Sequence, residues 1–403
     1  MQLPLKQKLF YFFPVLFCFS LPFGSRLLSV IVACWTIVSF FNIQKADIKQ
    51  GFKNTSLWLL FLFFIITVIS ALFSENREEG LFGIEVKLSV LLFPWLLFCF
   101  AWPTEILKRC VVAFVSGCFF ACVYLITRAF YYSFNGQPEY FFYSLFSDLI
   151  HASYFAMYLI LAIVIVILFY RKWFSTQRTI MYSAYFFVAV FVITIFLCSS
   201  KLGIISFFIA MPILALYRLK DRLNTKTVIV VLSSVLVLLV VAYVVFPGSF
   251  SRLRSIASVS ASPDKTSAES TAVRILIWDQ AIDLIGQNPL FGTGVGDVND
   301  DLYNAYRQQG ITGALEHKLN AHNQYLQTFI GMGLVGFILL CFLTVGQLIK
   351  AIWKKNFLLF MFALLVSLNF LVESMLQTAA GILFFTFFVC VFNLTNEKKL
   401  LGE

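Results

Sequence analysis

A few short segments of this 403-residue chain carry the side chains best able to do chemistry. Arg274 and Trp278 stand four residues apart, a spacing that puts both on one face of a helix. A guanidinium so placed can grip a phosphate with two parallel hydrogen bonds, in a ligand or in a lipid headgroup, and an indole there can anchor at a membrane interface. Gly292-Thr293-Gly294-Val295-Gly296 follows. Glycine-rich segments cradle phosphate when a strand leads in and a helix leads out. Here a helical pattern leads in and acidic residues from Asp297 to Asp301 follow, so a tight turn is expected. Next come His317-Lys318-Leu319-Asn320-Ala321-His322-Asn323, running straight into an apolar stretch. Asn320 is a candidate helix cap that would place His322 in the first helical turn. The helix dipole there disfavours imidazolium, leaving a ring that can take a proton from a hydroxyl.

The elements that must position these groups follow from composition. The chain is 60% hydrophobic and 12% charged, with mean hydropathy +0.88. Soluble domains carry about 25% charged residues, so a water-facing surface cannot be built from this chain. At roughly 20 apolar residues per span, there is room for about a dozen. Apolar runs occupy 9–22, 27–43, 57–73, 86–102, 110–127, 152–170, 180–198, 202–217, 227–246, 326–347, 357–374 and 378–394. Long unbroken runs, without polar alternation, exclude a membrane β-barrel. The expected fold is all-α, a polytopic membrane bundle of about twelve helices. Residues 1–246 hold nine spans, 247–325 form a long loop with short helices, and 326–403 hold three spans and a tail. Within the loop, Val273, Ile277, Ala281, Ile282, Leu284 and Ile285 recur at helical spacing over about 271–286, with Ser270 or Thr271 as cap and Gly286 and Pro289 as terminators.

The net charge of +10 could suggest a nucleic-acid partner, but its distribution says otherwise. Lys6, Lys8, Lys45, Lys49, Lys53, Lys108, Arg109, Arg218, Lys220, Lys350, Lys354, Lys355, Lys398 and Lys399 all fall on one side if both termini share it. The short segments of the other side carry Glu75, Glu78, Glu79, Glu85, Glu139, Asp148 and Glu373 against Arg26, Arg77, Lys87, Arg128 and Lys201, and the long loop is slightly acidic too. This is the positive-inside bias, which makes both termini cytoplasmic and the long loop external. Lys87, Lys201 and Glu373 sit near outer span ends, so the midplane charges usual in transporters are missing. His151, also at an outer span end, is expected to be interfacial. The nine cysteines lie in or beside apolar runs, without zinc-ligand spacing, and are expected to pack between helices.

Together these segments resemble the O-antigen ligase and polymerase family of bacterial surface-polysaccharide enzymes. The resemblance is carried by Arg274-x-x-x-Trp278, by Asn288-Pro289-Leu290-Phe291-Gly292-x-Gly294-x-Gly296, and by His322-Asn323 followed after nine residues by Gly333-x-x-Gly336. It implies an inner-membrane glycosyltransferase working at the periplasmic face without metal or other cofactor. The donor would be an undecaprenyl-diphosphate-linked glycan and the acceptor a lipid A-core or other glycan hydroxyl, with membrane lipid and no nucleic acid as further surroundings. By resemblance, His322 would be catalytic and Arg274 would hold the diphosphate. A second family arginine, after a serine at the start of an outer-facing helix, is replaced here by Ser200-Lys201. Lysine keeps the charge but loses the planar fork, which leaves Lys201 or, in its stead, Arg252 or Arg254 for that role. Trp278, Asn323 and Glu373 are supporting candidates. The histidine motif favours ligase over polymerase, and a polysaccharide flippase is the competing reading from another class.

Overall fold

The computed structural model describes residues 4–173, 178–251, 264–267 and 271–402. Among them there is no strand. The apolar runs fall largely in helix, and among the described residues seven helical stretches, short of the twelve spans expected, are long and apolar enough to cross a membrane: Thr55–Phe73, Arg77–Phe98, Thr104–Phe134, Ala152–Tyr170, Lys201–Arg218, Thr225–Val245 and Gln324–Trp353. Leu27–Phe40, Tyr182–Leu197, Phe357–Phe370 and Ala379–Leu394 are shorter apolar helices. The expected single span at 86–102 is instead a jointed element. Arg77–Val86 and Ser89–Phe98 meet at a turn containing Lys87, and Pro94 lies inside the second piece. The helix at Ala152–Trp173 is apolar on every side, as a helix surrounded by others must be, and from Ala152 to Ile165 every residue is buried. The buried cysteines, including Cys18, Cys110, Cys118 and Cys122, pack among these helices as small hydrophobic groups.

The loop segment between the helices Thr225–Val245 and Gln324–Trp353 contains its own helices at Thr271–Gln287, Val298–Gln309 and Thr312–Glu316. They bury Val273, Ile277, Ala281, Val298, Leu302 and Tyr306 in a small second core that also takes in Ile330 of the following helix. On the helix Thr271–Gln287 the stripe Val273, Ile277 and Ala281, at i, i+4 and i+8, faces this core, while Ile282 is exposed.

Two glycine breaks join the small core to the bundle. The helix Gln324–Trp353 is interrupted at Gly333, whose φ is 61° and ψ −162°. Opposite it lies the turn Gly292–Gly296, with φ of 74° at Gly292 and 110° at Gly294. Thr293 N donates to Ile330 O at 2.8 Å, Gly294 N to Gly331 O at 3.1 Å, and Leu334 N to Pro289 O at 2.9 Å. A Cβ on Gly333 would strike the Leu290 carbonyl, and one on Gly292 would strike the Ile330 carbonyl. The turn is then tied to a third helix. Val295 N donates to Ser70 Oγ and Gly296 N to Ser74 Oγ, both at 3.0 Å, and Ser70 Oγ donates to Gly331 O at 2.6 Å. The Asp297 carboxylate accepts from Glu75 N at 2.9 Å and Asn76 N at 2.7 Å. Glycine is thus used here for close backbone approach, as the expected tight turn requires, and not to hold phosphate.

Gly333→Ala should lower thermal stability by at least roughly 1–2 kcal/mol, from the left-handed backbone alone, with the carbonyl clash added. Gly346→Ala, lower on the same helix with only ordinary contacts to Phe342, should be near neutral. Thermal unfolding followed by size-exclusion chromatography of the two detergent-solubilised variants measures the difference, and equal loss in both would contradict the role of the break.

Candidate functional site

Five of the residues singled out by sequence, Lys201, Arg274, Trp278, His322 and Glu373, line one cavity of about 350 Å³ where the small core meets the bundle, and Asn323 does not. Lys201 opens the helix Lys201–Arg218, capped by Ser200, whose Oγ accepts from Gly203 N at 3.1 Å. An ammonium at the positive end of a helix is a pairing suited to anions. Its Nζ donates to Thr271 Oγ1 at 3.1 Å, which joins this helix to the first residue of the loop helix. One turn along that helix, Arg274 donates from Nη1 to Val372 O at 2.9 Å and from Nη2 to Glu373 Oε1 at 3.1 Å. A further turn on, Trp278 Nε1 donates to Ala321 O at 3.0 Å. The indole therefore positions the backbone immediately before His322.

His322 stands outside the helix, not in its first turn. The cap is Asn323, whose Oδ1 accepts from Tyr325 N and Leu326 N, and the helix begins at Gln324. Asn320 makes a local turn of its own, accepting from His322 N at 2.9 Å. Between the two asparagines His322 is held at φ 43°, a left-handed conformation that costs a non-glycine residue on the order of 1–3 kcal/mol and persists only where its surroundings fix it. Ala321 N donates to Gln327 Oε1 at 3.0 Å, and Leu376 N to Gln324 Oε1 at 2.6 Å. The second bond fastens the start of this helix to the turn that carries Glu373.

Glu373 is the group whose partnership the sequence did not reveal. It is 7% exposed, and its Oε2 lies 3.4 Å from His322 Nδ1. Burial alone would raise its carboxyl. The hydrogen bond from His322 and the charges of Arg274, His151 and His322 outweigh burial and hold it at about 2. A carboxylate ionised at neutral pH can only accept, so Nδ1 carries a proton toward Glu373, and whenever the ring is neutral Nε2 is the nitrogen left to accept. The helix dipole expected to tune His322 is thus replaced by a carboxylate that sets its tautomer. His151, expected to be merely interfacial, also lines the cavity and shares a 2.7 Å hydrogen bond between Nδ1 and Ser153 Oγ. Tyr143 lies on the wall as well. Neither has a sequence spacing to the other site residues that could have signalled this. Arg252 and Arg254 lie outside the described residues. Among those described, no group of three His, Cys, Asp or Glu side chains is arranged to hold a metal ion.

Residues 186–341 match the family model described as O-antigen ligase. This match supports the O-antigen ligase family. The matched region covers about two fifths of the chain and includes Lys201, Arg274, Trp278, His322, Asn323 and the Gly333 break; His151 and Glu373 fall outside it and join the site through the fold. Comparison with curated proteins found no match.

The Glu373 carboxyl gives a signed pH dependence. Its folded value of about 2 lies below the ordinary 4.5, so its contribution is complete above about 4.5 and is lost as pH falls through about 2. Thermal unfolding should show the wild type losing on the order of 2 kcal/mol from this group between pH 6 and pH 3. Glu373→Gln should lose correspondingly less, and an identical pH dependence would mean that the carboxylate is not held by Arg274 and His322.

Proposed function

We propose that the protein transfers a glycan from undecaprenyl diphosphate to a sugar hydroxyl of a lipid A-core acceptor, as an O-antigen ligase-type glycosyltransferase of the inner membrane. The observation that carries this reading is the meeting, in one cavity, of two cations from separate helices with a histidine oriented by a carboxylate. The charge asymmetry of the sequence supports cytoplasmic termini and a periplasmic site. A lipid-linked donor would then reach the cavity from the outer leaflet.

The chemistry asks little of the protein beyond placement and charge. The acceptor hydroxyl oxygen attacks the anomeric carbon, and the bond from that carbon to the diphosphate oxygen breaks with its electron pair going to the diphosphate. The hydroxyl proton goes to Nε2 of His322. Diphosphate is a good leaving group, so no strong acid is needed, and the negative charge growing on it is met by Arg274 and Lys201. Two of the five guanidinium N–H donors of Arg274 already hold Val372 and Glu373, which leaves others to engage the diphosphate. Glu373 keeps Nδ1 protonated and stabilises the imidazolium as it forms. A polymerase, extending one carrier-linked chain with another, would use the same groups with a different acceptor.

His322→Ala should reduce transfer by about 10²–10⁴-fold, the usual contribution of a general base, and Arg274→Ala should abolish it, with membrane insertion intact in both. Lys201→Arg should be tolerated where Lys201→Ala is not. The assay is transfer of glycan from purified lipid-linked donor to lipid A-core in proteoliposomes. Full activity of the histidine and arginine variants would overturn the site, and equal activity of the two lysine variants would remove Lys201 from it. Transfer to a second carrier-linked chain instead of lipid A-core would make the protein a polymerase, and donor crossing sealed vesicles without covalent transfer would make it a flippase.

A further inference from the structure

A second cavity, of about 570 Å³, lies at the opposite end of the helices Thr55–Phe73 and Gln324–Trp353 from His322. Its polar lining includes Lys53, Ser56, Gln347, Lys350, Lys354 and Asn393, and among the described residues no carboxylate side chain contributes to the wall. Gln347, Lys350 and Lys354 follow one another at i, i+3 and i+7, so one face of the helix end presents all three. Lys350 Nζ donates to Ser56 Oγ at 2.8 Å across the gap between the two helices. Lys354, the C-cap, stands one turn further on, a like charge at i+4 on the same face. Gln347 is 2% exposed. Its Oε1 accepts from Asn393 Nδ2 at 2.9 Å, while its Nε2 makes no hydrogen bond among the described residues and is not sealed away from the cavity. Among the described residues the wall thus carries three lysines and the amide of Gln347, against one buried acceptor without a partner, Asn393 Oδ1.

We propose that this cavity binds a phosphate group. A phosphate brings several strong acceptor oxygens and negative charge to the ammonium groups and the idle amide. The favoured source is the headgroup of an anionic phospholipid, because the wall runs directly into exposed apolar helix. Phe342 lines the cavity and is 54% exposed, and Val345 and Ile349 beside it are 47% exposed. An acyl chain can lie along that surface while its headgroup enters, the arrangement of basic pockets between membrane helices that hold lipid headgroups. Free phosphate would satisfy the polar lining but leave the apolar flank unused. The proposal does not depend on the glycan-transfer reading, since it uses no residue of the other cavity.

The test uses full-length protein in nanodiscs of phosphatidylcholine with or without phosphatidylglycerol, and counts retained headgroups by native mass spectrometry. Lys53→Gln/Lys354→Gln removes two exposed lysines of the cavity and should not disturb folding. Lys226→Gln/Lys398→Gln removes the same charge elsewhere. Phosphatidylglycerol retention should fall about tenfold or more in the first variant, as two lysine contributions imply, and stay near wild type in the second. Lys350→Arg should keep retention. Inorganic phosphate, titrated into phosphatidylcholine-only nanodiscs, separates the sources: saturable thermal stabilisation of the wild type, absent in the cavity variant and without lipid retention, would assign the site to free phosphate. Equal retention and equal phosphate response in wild type and both variants would overturn the proposal.

Discussion

The chain passes through left-handed backbone at Gly292 and Gly294 and again at Gly333, and these two places are in contact. A helix broken inside an apolar bundle leaves backbone donors and acceptors that must find partners. Here the turn supplies them. Its N–H groups meet the carbonyls of Ile330 and Gly331, and the N–H of Leu334 meets the carbonyl of Pro289. Neither side could approach so closely with a side chain present. Once this junction forms, the turn's neighbours are fixed as well: the helix Thr271–Gln287 leads into it, and His322 lies a short distance before the break.

Within the cavity, Glu373 serves two partners with its two oxygens, Arg274 on Oε1 and His322 on Oε2. Each partner depends on the other for this. A buried carboxylate stays ionised only when compensated, and the guanidinium provides much of that compensation, so Arg274 helps to determine which nitrogen of His322 carries its proton. An arriving diphosphate would compete with Glu373 for Arg274. On the proposed reading, binding the donor and preparing the base would be coupled through one carboxylate.

The positions of the apolar runs and the helix at 271–286 could be read from hydrophobic period alone, because burial against a core or a bilayer imposes that period directly. The turn at Gly292–Gly296 was legible from composition, since consecutive glycines without a preceding strand have few other uses. What misled was the choice of cap. Asn320 and Asn323 have the same chemistry, and local pattern does not show that Asn320 spends its oxygen on His322 N while Asn323 caps the helix. The jointed element around Lys87 was hidden for a related reason, because a two-residue turn hardly changes mean hydropathy. The pairing of Glu373 with Arg274 and His322, and the place of His151 on the same wall, join residues far apart in the chain. No local periodicity records such contacts, and only the packing of the last helices against the loop creates them.

The order of the site residues along the chain has a consequence for synthesis. His151, Lys201, Arg274, His322 and Glu373 emerge from the ribosome in that order. A chain halted just after His322 would already hold the cations and the imidazole, yet nothing would set the ring's tautomer or balance the guanidinium. Glu373 comes last of the five, in the turn after the helix Phe357–Phe370, and that turn is tied back when Leu376 N donates to Gln324 Oε1. Truncated products, which could still enter the membrane on their early helices, would thus lack the carboxylate that completes the cavity, so chemical competence would coincide with completion of the fold.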